Sequence, residues 1–253
     1  MSQTVARALE IVQFITKAPR TLTEVALLLD VHKSTALRLL QTLEVGGFAR
    51  QLSDGAYVAG FGMIALAQQA IDQIDIRSIA HPHLLRLAAQ VGHTIHLAQL
   101  MKDEVVYVDK VDGSGSVTMG SRIGLLAETH SAAVAKVVFA NVDESIRERA
   151  IAKASFHPYT PTTITTATAL RGEFEKVSAQ GWAEDNGEKE DYINCVALPV
   201  YDARGRITTG MSVTALRTVA PLDALREQIP LFRQTAHAIS QGLGWEGNEY
   251  GQR

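Results

Sequence analysis

Ser34, Thr35, Arg38, Gln41 and Thr42 fall on one side of a 3.6-residue period that starts at Lys33, while Ala36, Leu39, Leu40 and Leu43 fall on the other. The polar side carries short hydroxyls, one guanidinium, one amide and no acid. Such a face can enter a DNA major groove, where arginine reads guanine and hydroxyls or glutamine reach base edges and phosphates. The same spacing also describes an ordinary amphipathic helix with a solvated face, so spacing alone leaves both readings open.

The flanking residues favour the first. Thr21–Val45 reads as two short helices, the first with Ala26, Leu27 and Leu29 on its apolar side and a capping box from Thr21 to Glu24. Asp30-Val31-His32 breaks the period and supplies the turn, and Gly46-Gly47 stops the second helix. Phe48–Leu52, Ser53-Asp54-Gly55 and Ala56–Val58 then read as a small hairpin. A helix-turn-helix followed by a hairpin is a winged helix-turn-helix. Lys33 and Arg50, the latter on the wing, are expected on phosphates of double-stranded DNA.

Other reactive residues give less. Cys195 lies in the apolar run Cys195-Val196-Ala197-Leu198 with no basic neighbour in sequence, which is the setting of an inert buried thiol rather than a nucleophile. His81 and His83 are two apart on a helix, and His93 and His96 three apart on a strand, so each pair diverges. Local spacing therefore supports no metal, although a site from distant histidines stays open. Asp112-Gly113-Ser114-Gly115-Ser116 lacks the Lys-Ser/Thr pair of a phosphate cradle. No nucleophile elbow or His-Glu-x-x-His occurs, and no cofactor is implied.

The chain of 253 residues, 46% hydrophobic and 20% charged, has the balance of a soluble globular protein. Its net charge is −3. Residues 1–60 hold six basic residues (Arg7, Lys17, Arg20, Lys33, Arg38, Arg50) against Glu10, Glu24, Asp30, Glu44 and Asp54. That excess of one is a weak electrostatic footprint, so DNA binding rests on motif geometry. The lone Cys195 suits a reducing cytoplasm. Arg7 and Glu10 precede any apolar run, so no signal peptide is expected, and no run is long enough to imply a membrane partner.

Around the motif, Thr4–Lys17 reads as a helix with Val5, Ala8, Leu9, Val12 and Ile15 as its stripe, and Met63–Ile74 as a linker helix. Ile76–Gln90 is a further helix, with Pro82 predicting a start or kink near His81. Strands are expected at His93–Leu100, Glu104–Val111, Val117–Met119, Ile193–Tyr201 and Arg206–Leu216. Helices are expected at Ser131–Ala140, Glu144–Ala154, Thr168–Gln180 and, as one long element, Pro221–Leu243. The fold class is α+β: a winged helix-turn-helix over 1–60, a linker helix over 61–75, and over 76–253 an antiparallel sheet covered by helices. Such a domain can hold a small-molecule pocket.

Val5–Leu9, Lys33–Leu43, Gly120-Ser121-Arg122 and Cys195–Val200, in this order and spacing, resemble the IclR family of bacterial transcription regulators over nearly the whole chain. The resemblance implies a dimer or tetramer on operator DNA and a GAF-like second domain that binds a small, often acidic, metabolite. It implies Lys33, Ser34, Thr35 and Arg38 in the recognition helix. It places Ala133, Val134, Asp185, Cys195, Ser212 and Thr214 at the effector pocket. The chain departs from the family pattern at Asp30 for Gly, His32 for Pro, about four extra residues at Leu125–Glu128, Gly187 for an acid and Tyr192 for Gly.

Ser212 and Thr214 share one strand face, where two hydroxyls can donate to a carboxylate or merely satisfy backbone groups. Amides near Ala133 and Val134 can add donors, and Asp185 can accept from a ligand hydroxyl. Trp182 and Tyr192 either widen the pocket or pack. The expected function is a ligand-responsive transcription regulator sensing a small organic acid. Alternatives are a small-molecule enzyme with an accessory winged domain, or a winged domain used for protein contact.

Overall fold

The computed structural model describes residues 2–72, 75–114 and 120–247. The chain folds as two compact units, Met1–Gln73 and Ile74–Arg253.

The first unit contains α1 (Gln3–Lys17), α2 (Leu22–Leu28), α3 (Lys33–Val45), β1 (Ala49–Gln51), β2 (Tyr57–Ala59) and α4 (Gly62–Asp72). Thr21 and Glu24 close the capping box of α2. Asp30 adopts φ 49°, the left-handed turn conformation that an Asp tolerates better than most residues. His32 then caps α3, its Nδ1 accepting the Ser34 amide. β1 and β2 pair antiparallel as the wing. A Cβ on Gly60 would collide with the Gly47 carbonyl, so glycine is required where the wing folds back. The core is Ile11, Ile15, Val25, Leu29, Ala36, Leu40 and Tyr57. The stripe expected of α1 is only partly used: Ile15 is buried, but Val5 and Leu9 are each 58% exposed.

The second unit is a six-stranded antiparallel sheet ordered β5-β4-β3-β8-β7-β6. The strands are β3 (Thr94–Met101), β4 (Glu104–Val111), β5 (Leu126–Ala127), β6 (Ala183–Asn186), β7 (Ile193–Tyr201) and β8 (Ile207–Leu216). One face, through Ile95, Leu97, Val196, Leu198, Met211 and Val213, packs on α5 (Asp75–Val91), α9 (Leu222–Glu227) and α10 (Ile229–Gly242). The other carries α6 (Ala133–Phe139), with α7 (Glu144–Lys153) and α8 (Ala167–Gln180) behind it. Gly210 lets α6 lie close on β8, since a Cβ there would meet Val134 and Val137 side chains at 2.9 Å.

Several boundaries differ from expectation. α5 starts at Asp75 and runs through Pro82. The last helix is two helices, broken at Gln228 ahead of Pro230, whose ring and missing N–H disfavour continuation. β6 was not foreseen, and β5 falls within the stretch read as extra residues. The strand expected at Val117–Met119 lies outside the described residues.

Candidate functional site

On α3, Lys33, Ser34, Arg38, Gln41 and Thr42 are exposed and Thr35 is half-buried. Ser34 Oγ lies 2.9 Å from His32 Nδ1, and Thr42 Oγ1 donates to the Arg38 carbonyl at 2.8 Å, so both hydroxyls are already oriented. Glu44, the acid of this helix, accepts the Gln51 amide of the wing at 3.1 Å. Arg50 is exposed on β1, with its guanidinium 5.2 Å from the centre of the Phe61 ring.

In the second unit, strand register assembles the polar side chains. Thr94 on β3 pairs with Thr214 on β8, Thr214 with Cys195 on β7, and Cys195 with Asp185 on β6. Directly paired residues share a sheet face, so four strands contribute one polar row. The next row holds His96 opposite Ser212. Of these, Thr214, Cys195, Asp185, His96 and Ser212, with Ala133 and Val134 from the start of α6, line a cavity of about 230 Å³. Its walls also include Tyr107, Ser121, Glu128, Lys189 and Glu190.

The polar groups are hydrogen-bonded in series. Ser121 Oγ lies 2.6 Å from His96 Nε2, His96 Nδ1 is 3.2 Å from Thr214 Oγ1, and Thr214 Oγ1 is 3.3 Å from Cys195 Sγ. Cys195 donates weakly to Asp185 Oδ2 at 3.8 Å, and the Glu188 amide donates to Asp185 Oδ1 at 2.6 Å. Burial pushes His96 down to about 3, leaving it a neutral imidazole at physiological pH. Burial pushes the Asp185 carboxyl up to about 6 and the Cys195 thiol far above its ordinary value. A thiol so held is a poor nucleophile. Behind the row, fully buried Lys136 bonds Glu188 at 2.7 Å, with Glu173 at 3.6 Å. Burial disfavours its charge, but these carboxylates outweigh burial and hold it protonated. Burial pushes Glu188 up to about 7 against the pull of Lys136.

No helix among the described residues is long and apolar enough to cross a membrane. No group of three or more His, Cys, Asp or Glu among them could hold a metal ion.

Residues 68–241 match the C-terminal domain of the bacterial transcriptional regulator IclR, and residues 4–53 match the IclR helix-turn-helix domain. The chain belongs to the IclR family. It is 31% identical to the HTH-type transcriptional regulator XynR of Escherichia coli K12, over 96% of this chain and 98% of that one. Identity to KdgR of the same organism is 29%, over 88% of this chain and 86% of that one. The crystal structure of Thermotoga maritima IclR superposes with a TM-score of 0.79 at 32% identity, covering 97% of this chain and all of that one. The protein is thus an IclR-family, DNA-binding transcription regulator. Both relatives are regulators of transcription.

All six residues expected at the effector pocket of this IclR-family chain line one cavity. Trp182 and Tyr192 do not line it: Trp182 packs against the core on the opposite face of the sheet, and Tyr192 is 51% exposed. Sequence reading missed His96, Ser121, Glu128 and Lys189 as neighbours of this site. Ser121 sits in the Gly120-Ser121-Arg122 segment that carried the family resemblance, a usable signal. His96 joins the site through the pairing of β3 with β8, which are separated by more than a hundred residues.

Proposed function

We propose that this protein represses or activates transcription in the cytoplasm by binding operator DNA as a homodimer or tetramer and sensing a small hydroxylated organic acid. The observation that carries the reading is the cavity in which Ser212, Thr214, Asp185 and Cys195 converge under α6. Ser212 and Thr214 hydroxyls, with the amides of Ala133 and Val134, take the acid's carboxylate. As the first residues of a helix, those two have no carbonyl one turn earlier to bond. Asp185 accepts from a ligand hydroxyl, an arrangement that favours hydroxylated acids over simple ones. The reading gives Cys195 a packing contact, not a covalent role.

At the DNA end, Arg38, Gln41, Ser34 and Thr35 face the major groove, with Lys33 and Arg50 on phosphates. A single unit with such slight positive charge binds weakly, so two copies must act on two half-sites. Exposed Val5 and Leu9 on α1 and Ile64 on α4 supply apolar surface for that pairing. The enzyme alternative is disfavoured because no activated nucleophile or acid–base pair stands free among the described residues that line the cavity.

The test is a thermal-shift screen of hydroxylated organic acids followed by operator gel shifts. At 100 times its dissociation constant a binder adds about 2.7 kcal/mol. The compound should be recovered unchanged and should alter operator affinity. Turnover of the compound would favour the enzyme.

A further inference from the structure

Lys189 is the one lysine or arginine among the described residues lining the cavity, and a carboxylate from the same cavity already occupies it. Lys189 Nζ donates to Glu128 Oε1 at 2.7 Å, and the Tyr159 hydroxyl donates to that same oxygen at 2.7 Å. The other carboxylate oxygen, Oε2, is buried without a hydrogen-bond partner, with His130 Nδ1 3.8 Å away. Two donors thus converge on one atom while half of the carboxylate is unsatisfied. An unsatisfied buried acceptor is unfavourable, so Glu128 is a replaceable occupant.

We propose that Glu128 is a stand-in for a second acidic group of the effector, which takes Lys189 and Tyr159 in its place. The proposal rests on the reading of the cavity as an effector site and deepens it: the effector is a hydroxylated dicarboxylic acid rather than a hydroxylated monocarboxylic one. Its first carboxylate lies at Ser212 and Thr214 and its second at Lys189.

Three features favour the exchange. The Glu128 side chain is 25% exposed, so it has a route to water once displaced. Its backbone carbonyl accepts the Ser131 and Ala132 amides, so the turn into α6 stays fixed while only the side chain swings. The swap is also neutral in charge, since one carboxylate leaves the ammonium as another arrives. That matters in a cavity where Asp185, Glu190 and Glu128 outnumber the single lysine. A second acid group entering without displacing Glu128 would meet uncompensated negative charge.

The test uses 2-hydroxy α,ω-dicarboxylic acids of roughly four to eight carbons, which keep the hydroxyl that Asp185 accepts, each matched to the 2,ω-dihydroxy monocarboxylic acid of the same length. Calorimetry measures their dissociation constants in the parent, Glu128→Gln and Lys189→Met proteins, with circular dichroism confirming that each is folded. The parent should bind the best diacid about tenfold more tightly than its monocarboxylic partner. Lys189→Met should reduce that preference to within about twofold, while Glu128→Gln should widen it. Equal affinity for both acids in the parent overturns the proposal, as does a preference that survives Lys189→Met. Where the monocarboxylic acid binds and shifts operator affinity but no diacid is preferred, the stand-in fails and the site reading holds. Where no member of either series binds, both fail.

Discussion

Arg38 and Asp185 carry the most specific residue-level expectations. Arg38→Ala should lower operator affinity by about 1–3 kcal/mol and relax preference at one base position. Lys33→Ala should weaken binding evenly across sequences, because a phosphate contact carries no base information. Gel shifts on a series of single-base operator variants separate the two, and an unchanged base preference in Arg38→Ala would remove it from the groove. Asp185 is instead costly to the unliganded fold. Its carboxyl, raised by burial from 3.8 to about 6, holds a proton more tightly folded than unfolded. Stability therefore falls as pH climbs through that window and stays lower above it. Asp185→Asn, which keeps an acceptor for the Glu188 amide, should stabilise the ligand-free protein by about 1–3 kcal/mol at neutral pH. The gain should vanish below roughly pH 4, where the parent carboxyl is protonated in both states. Urea unfolding at the two pH values checks this. A gain of equal size at both would assign the effect to packing.

At the scale of elements, two backbone positions set where the helices start and lie. Asp30 holds a left-handed conformation at the turn before α3. Asp30→Gly should raise the stability of the first unit by up to about 1 kcal/mol without changing operator preference, read by thermal melting. Gly210→Ala should push α6 off β8, costing about 1–3 kcal/mol and weakening effector binding together. The helix-turn-helix was legible because capping box, turn and amphipathic period all lie within one stretch of sequence, as did β7 and β8, rich in β-branched and apolar residues. β6 was not, because Ala183-Glu184-Asp185-Asn186 has no strand-forming composition and owes its state to pairing with β7. The split at Gln228 was missed because apolar periodicity continues across it, from Leu225 through Ile229 to Phe232. The pocket's hydroxyl strand was visible, but its partners from β3 and the Glu128 turn depend on long-range pairing that spacing cannot show.

Val5 and Leu9, exposed one turn apart on α1, should be covered in a dimer. Leu9→Glu should give a monomer in sedimentation at micromolar concentration and lower operator affinity, whereas a parent protein that sediments as a monomer would remove pairing from the account. The central claim is that the cavity behind Ser212 and Thr214 controls DNA binding. The most direct measurement is operator affinity by fluorescence anisotropy, with and without the best acid from the thermal screen, in the parent and in the Ser212→Ala/Thr214→Val double variant. The expected result is a ligand-dependent change in affinity in the parent and none in the double variant, with ligand-free operator binding equal in both. A double variant that still binds the acid and responds at full strength would contradict it and place the effector elsewhere.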